Sequence, residues 1–174
     1  MKTLIGDIGN TDIKLCIVNE NFKILKKINL NTLNVKKDIN FKNKINFLIK
    51  KRKINNLAFF SSVVPFSYNR IKKTLKKNFN INCVELKQMN YNKIIKIKVN
   101  KRQIGSDRIA NAVGSLQYYK SNCIVIDFGT ATTFDVIING VYYGGVIAPG
   151  IKLSLKNLAE KAKLIPPFNI KKIK

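Results

Sequence analysis

Two short segments carry the residue types that phosphoryl chemistry needs. Asp7-Ile8-Gly9-Asn10-Thr11 and Asp127-Phe128-Gly129-Thr130-Ala131-Thr132 lie 120 positions apart. Each ends an apolar run with an aspartate, then adds a bulky residue, a glycine and a hydroxyl or amide side chain. Glycine lacks a Cβ and adopts positive φ, so the N–H groups of such a turn can point into one concavity and meet an anion. A carboxylate at the strand end can hold Mg²⁺ directly or through water, and the metal offsets charge developing on transferring phosphoryl oxygens. One such segment alone is most often just a hairpin turn. Two of them, each opening a hairpin, read as loops that close on a nucleotide from both sides of a cleft.

The rest of the composition narrows the chemistry. The chain has no His, no Trp and three Cys, which removes Ser-His-Asp triads, Cys-His dyads and His-bearing metal sites. Catalysis must come from carboxylates, hydroxyls, backbone amides and cations. Cys16, Cys83 and Cys123 each lie in an apolar run without CxxC spacing, as small core residues do in a reducing compartment. No apolar stretch is long enough for a signal peptide or a membrane span, so a cytoplasmic protein is expected.

The formal charge is +24, from 33 Lys and Arg against 9 Asp and Glu. Only four of those cations are Arg, the favoured bidentate reader of phosphates and bases. Lys, Ile and Asn, all with A/T-rich codons, supply 78 of 174 residues, so codon bias accounts for the excess and no nucleic-acid partner is expected. The lysines from Lys42 to Lys53 flank Ile45, Leu48 and Ile49 at helical spacing, which makes them a solvated helix face.

Elements that could position the two loops follow from periodicity. Residues 2–7, 12–18 and 22–29 read as strands, with the Gly9-Asn10-Thr11 turn between the first two. A helix follows at 41–52, then a strand at 57–64 stopped by Pro65, a helix at 66–78, and strands at 81–85 and 93–99. A domain boundary is placed near residue 104, dividing the chain into lobes 1–104 and 105–174. Ile109, Ala112, Val113 and Leu116 predict a helix over 106–119, capped by Ser106 or Asp107. Strands at 123–127, 132–138 and 141–147 repeat the opening meander, the last two joined by an Asn139-Gly140 turn. A final helix is expected to turn Ile151, Leu155, Leu158, Ala159 and Ala162 inward. Asp107 at a helix start reads as an N-cap or as a base, and Arg108 as a surface ion-pair residue or as a fork for an anion. Gly144 to Gly150 is read as a turn without chemistry.

The paired hairpins resemble the actin-like ATPase and sugar-kinase superfamily. DIGNTDIK (Asp7 to Lys14), SSVVP (Ser61 to Pro65), GSDRIANAVG (Gly105 to Gly114), IDFGTATTFDVI (Ile126 to Ile137) and GGVIAPGIKLSL (Gly144 to Leu155) resemble, more narrowly, the type III pantothenate kinases. The resemblance implies an α/β fold of duplicated actin-like (ribonuclease H-like) lobes, the second abbreviated. It implies ATP-dependent phosphorylation of pantothenate to 4'-phosphopantothenate, with Mg²⁺ and a monovalent cation, K⁺ or NH₄⁺, in a cytoplasmic homodimer.

Carried over position by position, the resemblance makes Asp7, Ile8, Gly9, Asn10, Thr11, Asp12, Ile13 and Lys14 the first ATP loop. Thr130 becomes an ATP contact from the second loop and Asp127 the ligand of the monovalent cation. Gly105, Ser106, Asp107 and Arg108 become the pantothenate segment, with Asp107 the proton acceptor. Two positions depart from the family pattern: its substrate-contacting tyrosine falls on Lys98 and a nearby proline on Lys101. The family's further C-terminal helices and strands, with a threonine that reaches pantothenate across the dimer, have no counterpart here. That shortfall predicts exposed apolar surface and unpaired strand edges. It also leaves a second reading open: a degenerate relative serving as a nucleotide-binding or transcriptional accessory module. A kinase of the superfamily acting on another polyol or sugar is the third reading.

Overall fold

Two β-sheets share one plan. A computed structural model describes residues 1–37, 40–50 and 52–161. Strands β1 (Thr3–Ile8), β2 (Asp12–Val18) and β3 (Ile24–Asn31) form an antiparallel meander. A short helix α1 (Thr32–Lys36) follows, started by the Asn31 side chain, which accepts from the Leu33 and Asn34 N–H groups. Helix α2 (Phe41–Ile49) buries Phe41, Ile45, Leu48 and Ile49 and turns Lys42 and Lys44 outward. It ends at Ile49, short of the expected residue 52, and Lys51 lies outside the described residues.

Strand β4 (Leu57–Ser62) adds parallel to the free edge of β1. Pro65 does not merely stop this strand; it opens α3 (Pro65–Phe79), where the missing N–H of a proline is no loss. Ile71 and Leu75 on α3 are buried, and the helix ends on Asn80 in the left-handed conformation. Strand β5 (Asn82–Glu85) completes a sheet of order β3-β2-β1-β4-β5. Leu4, Ile8, Ile13, Leu15, Ala58 and Phe60 from this sheet pack with the buried faces of α2 and α3 into one core.

A 3-10 turn (Leu86–Gln88) leads to β6 (Lys96–Ile97), which is shorter than the expected strand at 93–99. β6 pairs parallel with β9 of the second sheet, and Tyr91, Ile95 and Ile104 pack into the second core. Helix α4 (Ser106–Tyr119) starts on Gly105, in an extended conformation, so Ser106 and Asp107 are the first helical residues rather than the cap. Strands β7 (Cys123–Phe128), β8 (Ala131–Ile138) and β9 (Val141–Pro149) repeat the β1-β2-β3 meander. The Asn139-Gly140 turn has both residues at positive φ, 49° and 71°, the type I′ geometry that matches strand twist. This is the duplicated actin-like α/β arrangement expected from the sequence.

Two expectations about the second lobe meet different outcomes. The outer edge of β7 pairs with no strand among the described residues, and Ile124, Ile126, Phe128 and Val146 lie exposed on one face, as anticipated. Helix α5 (Ile151–Lys161), in contrast, buries no residue: Ile151 and Leu158 are exposed, Leu155 and Ala159 half-buried. Its apolar stripe exists, but no described element lies across it; Ala162 falls outside the described residues.

Candidate active site

Asp7 stands on β1 between two neighbours fixed by sheet register, Lys14 of β2 on one side and Ser61 of β4 on the other. The loop beyond it is tied in place. Gly9 N donates to Asp12 O at 3.0 Å, while Thr32 donates from Oγ1 to Gly9 O at 2.8 Å and from N to Thr11 O at 2.9 Å. The start of α1 therefore buttresses the first loop from behind, a support that the sequence pattern did not reveal. Within the Asp7–Lys14 segment, Ile8 and Ile13 point into the core, so their backbone is what they offer to a ligand, whereas Asn10, Thr11 and Asp12 are exposed.

Asp127 occupies the equivalent place on β7. In the second loop Gly129 N donates to Ala131 O at 2.9 Å, and Gly150 N donates to Thr130 O at 3.1 Å. A Cβ on Gly150 would sit 2.4 Å from both the Gly129 and the Thr130 carbonyl oxygens. Residue 150 is thus a glycine because the second loop lies against it; the tract forms the expected strand-to-helix turn and also backs the loop. The two loops meet across the cleft: the Thr11 and Thr130 hydroxyls share a hydrogen bond of 2.8 Å.

Helix α4 supplies the third wall. Asp107 and Asn111 are four residues apart and so share a face; Asn111 Nδ2 donates to Asp127 Oδ2 at 2.9 Å. Ser106, fully buried, donates to the Ser62 carbonyl oxygen at 3.2 Å and is hydrogen-bonded to the Glu85 carboxylate, which fastens the helix start to the first lobe. Gly105 leaves room for the Asp107 carboxyl, because a Cβ there would come within 2.2 Å of Asp107 Oδ1. Asn111, Glu85, Thr32 and Gly150 escaped sequence reasoning. For Asn111 a signal existed, its spacing of four from Asp107.

Asp7, Lys14, Ser61, Asp107, Asn111 and Asp127 line one cleft of about 480 Å³, with Ile5, Phe59 and Met89 as an apolar flank. Burial pushes the Asp7 carboxyl above the usual range, the Lys14 ammonium pulls it back, and the charges of Asp107 and Asp127 push it up again. Asp7 therefore feels both Asp107 and Asp127 across the cleft. Arg108 does not reach into that space. Its Nε donates to Asp135 Oδ1 at 2.8 Å and its Nη2 lies 2.6 Å from the same oxygen. It is an ion-pair residue, but inside the second lobe rather than on the surface. Lys98, at the position of the family's tyrosine, places Nζ 4.5 Å above the Tyr143 ring, and Lys101 donates to Asn92 Oδ1 at 3.0 Å. Neither lines the cleft.

No group of three or more Asp, Glu, Cys or His converges as a metal cage among the described residues. Single carboxylates spaced around a cleft fit Mg²⁺ instead, since that ion keeps several waters and takes other ligands from phosphate.

Comparisons with known proteins point to one family. A family model described as type III pantothenate kinase matches residues 3–174. A type III pantothenate kinase of Pelagibacter ubique is 50% identical over 97% of this chain and 67% of its own length. Another, from Agathobacter rectalis, is 34% identical over 95% of this chain and 65% of its own. Among solved structures, the Ppx/GppA phosphatase of Aquifex aeolicus superposes with a TM-score of 0.54 at 13% identity, over 97% of this chain and 58% of that one. The chain thus spans about two thirds of the length of these curated relatives.

Proposed function

The chain belongs to the type III pantothenate kinase family, and on that premise we propose that it transfers the γ-phosphoryl group of ATP to the primary hydroxyl of pantothenate. The observation that carries this reading is the meeting of both loops and α4 on one cleft, with Thr11 bonded to Thr130 and three aspartates around the opening.

In this reading the segment Asp7–Lys14 cradles the phosphates through the backbone of its turn and the Lys14 ammonium, and Thr130 contacts them from the opposite side. The segment Gly105 to Arg108 presents the pantothenate hydroxyl to Asp107, with the Arg108 side chain turned back onto Asp135. As the hydroxyl oxygen bonds to the γ-phosphorus, the bond to the β,γ-bridging oxygen breaks, ADP leaves, and Asp107 takes the hydroxyl proton. Asn111 holds Asp127 in one orientation throughout. Asp7 would hold Mg²⁺ and Asp127 a monovalent cation, K⁺ or NH₄⁺; bound there, such cations supply charge neutralisation around the phosphates. A homodimer in the cytoplasm is proposed with the same reading. No described helix is long and apolar enough to cross a membrane.

The test is ADP release dependent on pantothenate, with and without K⁺ or NH₄⁺, for the wild type and Asp107→Asn. Loss of the base should lower kcat by about 10²- to 10⁴-fold while nucleotide binding persists. Nucleotide binding without turnover in the wild type would favour the accessory-module reading, and turnover unchanged by Asp107→Asn would remove Asp107 from its role.

A further inference from the structure

The residue after Asp107 turns away from the cleft, and what receives it is a built recess in the second sheet. Asp135, on β8, is wholly buried; its Oδ1 accepts from Arg108 Nε and from the hydroxyl of the equally buried Tyr142, and it is ion-paired with Arg108 Nη2, which has no hydrogen-bond partner of its own among the described residues. Its other carboxylate oxygen has no hydrogen-bond partner among the described residues. Gly145 stands opposite Asp135 in the β8–β9 register. A Cβ on it would lie 1.7 Å from the Phe134 carbonyl oxygen, which the strand backbone forbids, and 3.0 Å from Arg108 Nη2, so the guanidinium lies against a position that the strand keeps as glycine.

A buried ion pair is a poor way to gain stability, because desolvating both charges offsets most of their attraction and an apolar replacement often does as well. What such a pair does supply is a fixed geometry. Successive residues on an α-helix are about 100° apart around its axis. Anchoring Arg108 to the second sheet therefore sets the rotation of α4 and decides where its neighbours Asp107 and Asn111 face. Gly105 offers no side-chain cap, and Ser106 ties the helix start to Ser62 and Glu85 of the first lobe, so the hold on the second sheet near Asp107 comes from Arg108.

We propose that Asp135 is a positioning residue: by holding the Arg108 guanidinium inside the second lobe it fixes the rotation of α4, so that Asp107 faces the substrate hydroxyl and Arg108 does not clamp the pantothenate carboxylate. This rests on the kinase reading. Asp135 acts through Arg108, so removing either group, or both, has one and the same consequence.

The experiment compares Asp135→Asn, Arg108→Gln and the double variant in the full chain, using pantothenate and pantothenol, its analogue with an alcohol in place of the carboxylate. The double variant leaves no lone buried charge, which guards against a single variant that does not fold. Each of the three should lower kcat by the same factor, about 10- to 100-fold for a misaligned reacting group. The KM for ATP and the preference for pantothenate over pantothenol should stay as in the wild type. Hydrogen exchange should quicken at the amides of residues 105–111. Erosion of the pantothenate preference in Arg108→Gln alone would show a carboxylate clamp and overturn the proposal. So would losses that multiply in the double variant, or a double variant with wild-type kcat. A wild type without pantothenate-dependent ADP release would sink the kinase reading alone. Unchanged exchange at 105–111 in Asp135→Asn would sink the positioning role whatever the substrate.

Discussion

Replacing Gly150 with alanine tests whether the second loop is held by contact with the strand-to-helix junction behind it. The added Cβ would lie 2.4 Å from two carbonyl oxygens of the loop, Gly129 O and Thr130 O, whereas ordinary contact begins near 3.4 Å, so about 1 Å must be found. Residue 150 has little freedom to retreat, because Pro149 pairs with Ala131 in the β8–β9 ladder. The loop gives way, and a shift of that size carries the Thr130 hydroxyl from 2.8 Å to beyond hydrogen-bond range of Thr11. Overpacking of this kind destabilises by about 1–3 kcal/mol. In a chain of this size that is a fall in Tm of about 2–4 °C per kcal/mol. The functional effect should be larger, since a misplacement of about 1 Å can reduce turnover on the order of 10²-fold. Calorimetry together with ATP-dependent kinetics separates the two effects. A Gly150→Ala protein with unaltered KM for ATP and unaltered kcat would refute the reasoning, because the loop would then have absorbed the methyl group without moving its hydroxyl.

Three further outcomes are expected. Because burial raises the Asp7 carboxyl above the ordinary aspartate value of 3.8, the folded chain binds that proton more tightly than the unfolded one. Stability is therefore given up as pH climbs from about 3.8 through the folded value. Asp7→Asn should melt higher than the wild type at neutral pH, with the difference vanishing in acid and with ATP binding lost; a lower melting point at pH 7 contradicts this. Gly105→Ala pushes its Cβ into the Asp107 carboxyl, which swings to another rotamer for about 0.5–1.5 kcal/mol; kcat should fall about tenfold or more with Tm nearly kept, and equal kcat shows that the carboxyl position is immaterial. Burial pushes the Cys83 thiol up to about 11 and raises that of Cys16, while Cys123 is half-buried. Thiol reagents at neutral pH should label Cys123 first, as mass spectrometry of digests would report, and equal labelling of Cys83 speaks against the buried placement.

Much of the architecture was legible because the signals were local. Alternating apolar residues bounded by Gly9-Asn10-Thr11 and Asn139-Gly140 specify both meanders, and the spacing of Ile71 and Leu75, or of Ile109 and Ala112, specifies α3 and α4. The aspartates of the two loops and Asp107 do come together, because duplicated strands put equivalent positions at equivalent ends of two facing sheets. What stayed hidden depends on contacts distant in sequence. The partner of Arg108 is 27 residues away on another element; nothing about a lone aspartate in an apolar strand says which cation it will meet. Gly150 reads as a turn glycine until the loop at Thr130 is laid against it. Periodicity shows that α5 has an apolar stripe but not whether a neighbour covers it. The two residues of β6 follow a register set by β9, 45 residues on, and no pattern within Lys96-Ile97 announces it.

The two lobes keep separate apolar interiors: one built on Leu4, Phe60 and Ile71, the other on Ile109, Ile137 and Tyr142. Between them lie the packing of α4 against β4 and polar links such as Ser106 with Ser62 and Thr11 with Thr130. At the two loops, the described residues hold the cleft together through the Thr11–Thr130 hydroxyl contact. A ligand that bridged both loops would stiffen the whole molecule while touching only its rim, and breathing of the empty chain should be concentrated there.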